Sequence, residues 1–261
     1  MILKMKFNKL KRLIYTCIAL VLPLLSFGKD NTQALFEKGN ACYAKAQYKE
    51  ALAAWQQIVK EGYQSAAVYY NIGNADYRLD DIPSALLYFE KAHKLAPADE
   101  DINVNIRFAN LKTTDKIDET PDFFISKWWH GFILSFTVNG VALASILLVL
   151  AASGSLIIYF FTNSVTVKKL SFYCALLLVF IGLIDIGIAS SQVNYFDGHK
   201  QAIIFTSTVN VKSGPIEKSN ILFVLHEGTK VNLLNNVNGW VRIKLANGNE
   251  GWLKVGDVRE I

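Results

Sequence analysis

The chain has 261 residues, 52% of them apolar, and a formal net charge of +5. It is too long for one small core, and its apolar excess is gathered in a few stretches, which points to membrane segments joined to soluble parts. Lys4, Lys6, Lys9, Lys11 and Arg12 supply part of the charge, and no other dense basic run follows, which argues against nucleic-acid binding.

Residues 1–28 combine that basic start with an apolar run from Leu13 to Phe27 and small residues at Ser26 and Gly28. This is the anatomy of a secretory signal peptide cut after Gly28; the alternative is an uncleaved anchor. Either reading exports residue 30 onward. Cys17 lacks the small residues that a lipoprotein site needs before it. Cys42 and Cys174, one on an exported helix and one in an apolar run, are not expected to pair.

From Gln33 the apolar spacing is helical, predicting helices at 33–45, 48–61, 66–79, 82–95 and from Asp99 to about Lys112. Pro83 falls at a helix start, where its missing N–H costs nothing. Gly39-Asn40 and Gly73-Asn74 lie 34 residues apart, and at the same offset Leu35 matches Tyr69, Tyr43 matches Tyr77, Ala51 matches Ala85 and Trp55 matches Phe89. That is the period of the tetratricopeptide helix-turn-helix unit, which this stretch (29–113 with its cap) resembles. Such repeats form grooves that hold other polypeptides. The resemblance implies concave positions at Gln33, Phe36, Asn40 and Tyr43 in the first unit, and at Ala67, Tyr70, Asn74 and Tyr77 in the second. Asp101, Val104, Phe108 and Leu111 follow on the fifth helix, expected to cap the exposed end. Aromatic rings there offer contact area and the amides can pair with a bound backbone. Asn40 and Asn74 could equally hold helix contacts. Ala51, Trp55, Ala85, Phe89 and Ala92 are expected in the core.

Residues 114–130 read as a polar linker and an interfacial segment, with Trp128, Trp129 and His130 where amphipathic rings anchor at a bilayer surface. Gly131 to Val167 carries no charge, and its densest part, Val138 to Phe161, is long enough to cross a hydrocarbon core of ~30 Å. This gives a first transmembrane region at 131–161, a loop at 162–169 and a second span at 170–190. Lys168 and Lys169 mark the loop as cytoplasmic, which leaves both soluble parts periplasmic at the inner membrane. Asp185 is the ionisable residue of the second span, close enough to Ser190 to reach the outer interface. Gly140, Gly154, Gly182 and Gly187 permit close helix approach.

Residues 191–261 alternate in polarity, with strands at Ala202–Phe205, Thr208–Val211, Ile221–Leu225, Lys230–Leu234, Gly239–Leu245 and Gly251–Leu253, and a hairpin signal at Asn247-Gly248. Asn210-Val-Lys-Ser-Gly-Pro, Leu225-His-Glu-Gly-Thr, Gly239-Trp and Gly251-Trp-Leu resemble the bacterial SH3-like domain. Domains of that type bind peptides or cell-wall glycopeptide, or pack on a partner domain. Trp252 is expected in the core; Trp240 is open between core and surface groove. The fold class is thus an all-α repeat superhelix, a membrane hairpin and an all-β barrel.

The order of parts, with Asn71-Ile-Gly-Asn-Ala, Asp80-Asp-Ile-Pro-Ser-Ala-Leu, Leu95-Ala-Pro-Ala-Asp-Glu-Asp-Ile and Asp115-Lys-Ile-Asp, resembles the BatE-like members of the Bacteroides aerotolerance family. The resemblance implies an accessory subunit working beside membrane proteins with von Willebrand A domains and, indirectly, a MoxR-type ATPase. No phosphate loop, metal spacing, nucleophile setting or redox motif appears, so a non-enzymatic scaffold without cofactor or metal is expected. Its expected partner-binding residues are Phe36, Asn40, Tyr43, Tyr70, Asn74, Tyr77, Phe108 and Trp240. The alternative is a sensor that binds peptidoglycan through the barrel.

Overall fold

The structure, a computed structural model, describes residues 31–118, 123–198 and 200–261; the leader expected over 1–28 lies outside them. Five helices open the described chain: α1 (Asn31–Ala44), α2 (Tyr48–Lys60), α3 (Ala66–Arg78), α4 (Ile82–Leu95) and α5 (Glu100–Lys112). Their ends fall within about two residues of those the apolar spacing predicts, because capping residues stop and start each one. Ser65 accepts from the Val68 N–H, Asp81 from that of Ser84, and Asp99 from those of Asp101 and Ile102.

The 34-residue repeat recurs in three dimensions. A Cβ built on Gly39 would lie 2.2 Å from Nε1 of Trp55, and one on Gly73 2.6 Å from Cδ1 of Phe89. In both units a glycine of the first helix therefore seats a large ring of the second, and Trp55 and Phe89 are each 1% exposed. Ala51, Ala85 and Ala92 are fully buried around them, as expected. The turns repeat too: Ala46 (φ 58°) and Asp80 (φ 62°) both take the left-handed conformation between the helices of a unit.

After α5 come α6 (Phe124–Ile133), α7 (Val138–Phe161) and α8 (Val165–Gly198). The strands β1 (Gln201–Ile204), β2 (Thr208–Lys212), β3 (Ile221–His226), β4 (Lys230–Val237), β5 (Trp240–Lys244), β6 (Glu250–Lys254) and β7 (Val258–Glu260) follow. They form one antiparallel sheet of order β3-β2-β6-β5-β4-β1-β7 that curls around Ile204, Val211, Val231, Ile243 and Leu253. Asn238 (φ 50°) and Gly239 (φ 79°) close the β4–β5 hairpin with two left-handed residues, the geometry that matches strand twist. Trp252 departs from its expected core position. On β6 the fully buried side chains alternate, so Leu253 points inward and Trp252 is half-buried on the other face.

Residues Ala34–Asn139 and Ala189–Ile261 make one compact unit; the hairpin segment Gly140–Ile188 belongs to another. Within the first unit the barrel is not a separate module. Ile203 of β1 is completely buried among Ala85, Leu86, Phe89 and Ala109 of the helical repeat. Lys230 pairs with Glu90 at 2.8 Å, and the Glu90 side chain is 5% exposed. Residues 115–117, expected in a polar linker, act as a clasp. Asp115 accepts from the His226 N–H and the Thr229 hydroxyl, both at 2.7 Å, with His226 Nδ1 2.9 Å away. Lys116 folds back onto the carbonyls of Asn110, Leu111 and Thr113 at the C-terminal end of α5, and Ile117 packs into the barrel core. Gly228 meets this clasp where a Cβ would sit 2.8 Å from Thr113 Cγ2, at φ 84°.

In the hairpin unit, α7 and α8 pack through a seam of small and half-buried residues. Val141, Ser145 and Ala152 on α7 and Ser171, Ala175 and Asp185 on α8 are buried or half-buried at three- and four-residue steps, and the Ser145 hydroxyl meets Asp185 across the pair. Both helices are long and apolar enough to cross a membrane. Two details differ from the sequence expectation. Helix α8 begins at Val165, so Lys168 and Lys169 lie in its opening turns and not in a loop. It also continues past Ser190 to Gly198, which places Asp185 about three and a half turns before its end.

Candidate functional site

The first helices of the units, α1 and α3, lie beside α5 in a row, and side-chain amides hold them in register. Asn71 Nδ2 donates to Asn40 Oδ1 at 3.1 Å, and one repeat later Asn105 Nδ2 donates to Asn74 Oδ1 at 2.8 Å. Helix α5 thus occupies the place of the first helix of a third unit. Asn105 also donates to the Tyr70 hydroxyl at 3.1 Å, which fixes that ring against Phe89 with centroids 6.0 Å apart.

This row lines a concave pocket of about 410 Å³ made by Tyr43, Tyr70, Asn74, Tyr77, Arg78, Phe89, Asn105 and Phe108. Five of the eight residues proposed from sequence therefore meet here: Tyr43, Tyr70, Asn74, Tyr77 and Phe108. Phe36 does not line the pocket and instead packs on the first-unit core. Asn40 is exposed and engaged with Asn71. Trp240 lies on the barrel, half-buried, with Lys212 Nζ 5.3 Å and Lys254 Nζ 5.8 Å from its ring centroid, and Glu217 within ion-pair distance of both lysines.

Sequence reasoning missed Arg78 and Asn105. Each had a signal in the repeat: Asn105 follows Asn71 by one period, and Arg78 precedes Lys112 by one. Of these two cations Arg78 lines the groove, and it is the positive group there. The Arg78 guanidinium is exposed, and its hydrogen bond with the Tyr43 hydroxyl raises its pKa further. Lys112 sits 4.5 Å from the Tyr77 ring centroid and pairs with Asp80 at 2.7 Å. The pocket offers aromatic faces, amides and one guanidinium, which suits an extended polypeptide carrying apolar and acidic groups. No nucleophile–base pair is gathered among its lining residues.

Residues 66–99 match the family model of the tetratricopeptide repeat. Residues 207–259 match that of the bacterial SH3 domain. No curated protein matches the chain. The first match covers α3 and α4 with Pro97; the first unit is recognised by its repeated Gly–aromatic packing. The second begins after β1, so the strand that joins the barrel to the repeat lies outside it. Both families are non-catalytic, and the repeat family is one of protein–protein interaction.

Proposed function

We propose that this protein is a non-enzymatic scaffold, anchored by α7 and α8 in the inner membrane with its repeat and barrel in the periplasm. It serves as an accessory subunit of an envelope complex of the aerotolerance or stress type. The observation that carries the reading is the pocket itself, where Tyr43, Tyr70, Tyr77, Asn74, Asn105, Arg78 and Phe108 present aromatic and amide groups with no catalytic arrangement. The resemblance to BatE-like proteins names the partners: von Willebrand A-domain membrane proteins, and through them a MoxR-type ATPase. Because barrel and repeat share a core, they meet a partner as one body, and affinity comes from a fixed surface more than from tethering two independent modules.

Affinity purification of the tagged chain from gently solubilised membranes tests this. Stoichiometric von Willebrand A-domain proteins are expected with the wild type, and their recovery should fall at least about tenfold for Tyr77→Ala combined with Arg78→Ala. Unchanged recovery, with an unchanged melting curve, removes the groove from the proposal. A second reading draws on the half-buried Trp240 and Trp252 and on the bacterial SH3 match: the barrel binds peptidoglycan. In that case the full chain should sediment with purified wall material, and Trp240→Ala should abolish sedimentation.

A further inference from the structure

The segment Gly140–Ile188 holds three formally charged side chains: Lys168 and Lys169 in the first turns of α8, and Asp185. Asp185 belongs to the α7–α8 seam, and the Ser145 hydroxyl donates to it. An ionised carboxylate has room for about four donors, and among the described residues Ser145 is the one it meets. The two lysines lie about 25 Å away along the helix, too far to compensate it. Asp185 is only half-buried, so its remaining acceptor capacity opens onto the outer surface of the helix pair.

Depth makes this consequential. Ser145 lies about 10 Å into α7, a helix about 36 Å long, and Asp185 shares its level by contact. With α7 spanning a bilayer, both groups fall inside the hydrocarbon, where a carboxylate is costly until a donor or cation reaches it. Among the described residues the hairpin supplies one donor, the Ser145 hydroxyl, and no cation near that level. A second copy of this chain would bring another carboxylate to the same place, and like charges repel in low dielectric.

We propose that Asp185, positioned by Ser145, is an intramembrane docking point for a transmembrane helix of a partner protein that carries a lysine or arginine at matching depth. This rests on the reading of α7 and α8 as membrane spans. The complementary cation would complete the carboxylate's hydrogen bonds and cancel its charge, and Gly182 and Gly187 beside it, each with open space where a Cβ would stand, would let a third helix approach closely. Selection by the groove outside would then be joined by selection inside the bilayer.

The test uses the full chain, fluorescently labelled and reconstituted into phosphatidylcholine vesicles with a designed leucine-alanine helix bearing one lysine at the level of Asp185. The same helix with leucine at that position is the control. Energy transfer should show the lysine helix associating about tenfold more strongly than the control. Asp185→Asn should erase the difference, and Asp185→Lys should restore it with a helix bearing aspartate. Equal association of the two helices with the wild-type chain overturns the proposal, as does a preference that survives Asp185→Asn. Stronger transfer between two labelled copies of the chain would assign the face to self-association and also overturn it. Carbonate extraction separates the two levels: a chain that washes off the vesicles sinks the span reading and the docking point together. One that stays inserted without lysine preference sinks the docking point alone.

Discussion

Gly73 and Phe89 are in mutual contact across the second repeat so closely that no side chain fits between them: a Cβ on Gly73 would lie 2.6 Å from the ring. The ring is 1% exposed, so it has no free space to swing into. Gly73→Ala therefore gains helix propensity but forces the ring out of place, and the steric term is the larger. We expect a net loss of about 2 kcal/mol in urea unfolding, with part of it recovered by adding Phe89→Leu. If Gly73→Ala is neutral or stabilising, the glycine is not there to seat the ring.

Ala46 offers the opposite case. It takes φ 58° in the turn between α1 and α2, where a Cβ is strained and glycine is not. Ala46→Gly should raise stability by about 0.5–1 kcal/mol, read as a higher urea midpoint at unchanged slope. Asp80 holds the equivalent turn of the second unit at φ 62°, but its carboxylate pairs with Lys112, so glycine there should gain less.

Asp76 is 3% exposed, one of its oxygens has no hydrogen-bond partner, and burial, followed by the nearby Asp81, raises its pKa to about 7. In the folded chain it keeps its proton up to about pH 7, whereas in the unfolded chain it loses it near the ordinary value of 3.8. Between those limits the native state binds more protons, so stability falls as pH rises from about 4 to about 7 and then levels off. Asp76→Asn removes the titration. Relative to wild type it should be more stable at pH 8 than at pH 5 by about 2–4 kcal/mol, measured by urea unfolding in detergent at both values. A difference that does not depend on pH would assign the burden of Asp76 to its shape and not its charge.

The clasp between barrel and repeat should respond to both of its polar anchors. Burial pushes the Asp115 carboxyl up, but hydrogen bonds from the His226 and Thr229 side chains and the His226 N–H outweigh it and hold the pKa below the usual range. Its contribution is therefore full above about pH 4 and lost as pH falls further. Asp115→Ala should cost about 2 kcal/mol at pH 7 and expose the β3 amides to hydrogen exchange while the core of α2–α3 stays protected. Lys230→Met leaves the buried Glu90 without its cation, at a cost of about 2–3 kcal/mol. Adding Glu90→Gln should recover most of that; a double variant as weak as the sum of the singles would mean the two residues act separately.

Much of this molecule was legible before any coordinates, for a reason that can be traced residue by residue. A helix that buries one face repeats its apolar side chains about every 3.6 residues, and a half-buried strand every second residue, so α1 to α5, α7 and most strands announce themselves locally. The 34-residue echo of Gly39, Asn40, Tyr43 and Trp55 exposed the repeat, and with it Tyr70, Asn74, Tyr77 and Phe108 as neighbours on one face. Tertiary structure decided what no period encodes. Asp115 and His226 are 111 residues apart, and nothing near either names the other. The polar stretch after Thr113 looked like a tether because a clasp made of side-chain hydrogen bonds has the composition of a loop. Trp252 lies outside the core because Leu253 takes the inward side of the same strand, a choice set by register and not by hydrophobicity. Asp185 faces Ser145 because the seam of two helices, and not the distance to the end of either, determines where a side chain points. Local periodicity thus defined the parts, and long-range complementarity between surfaces joined the barrel to the repeat.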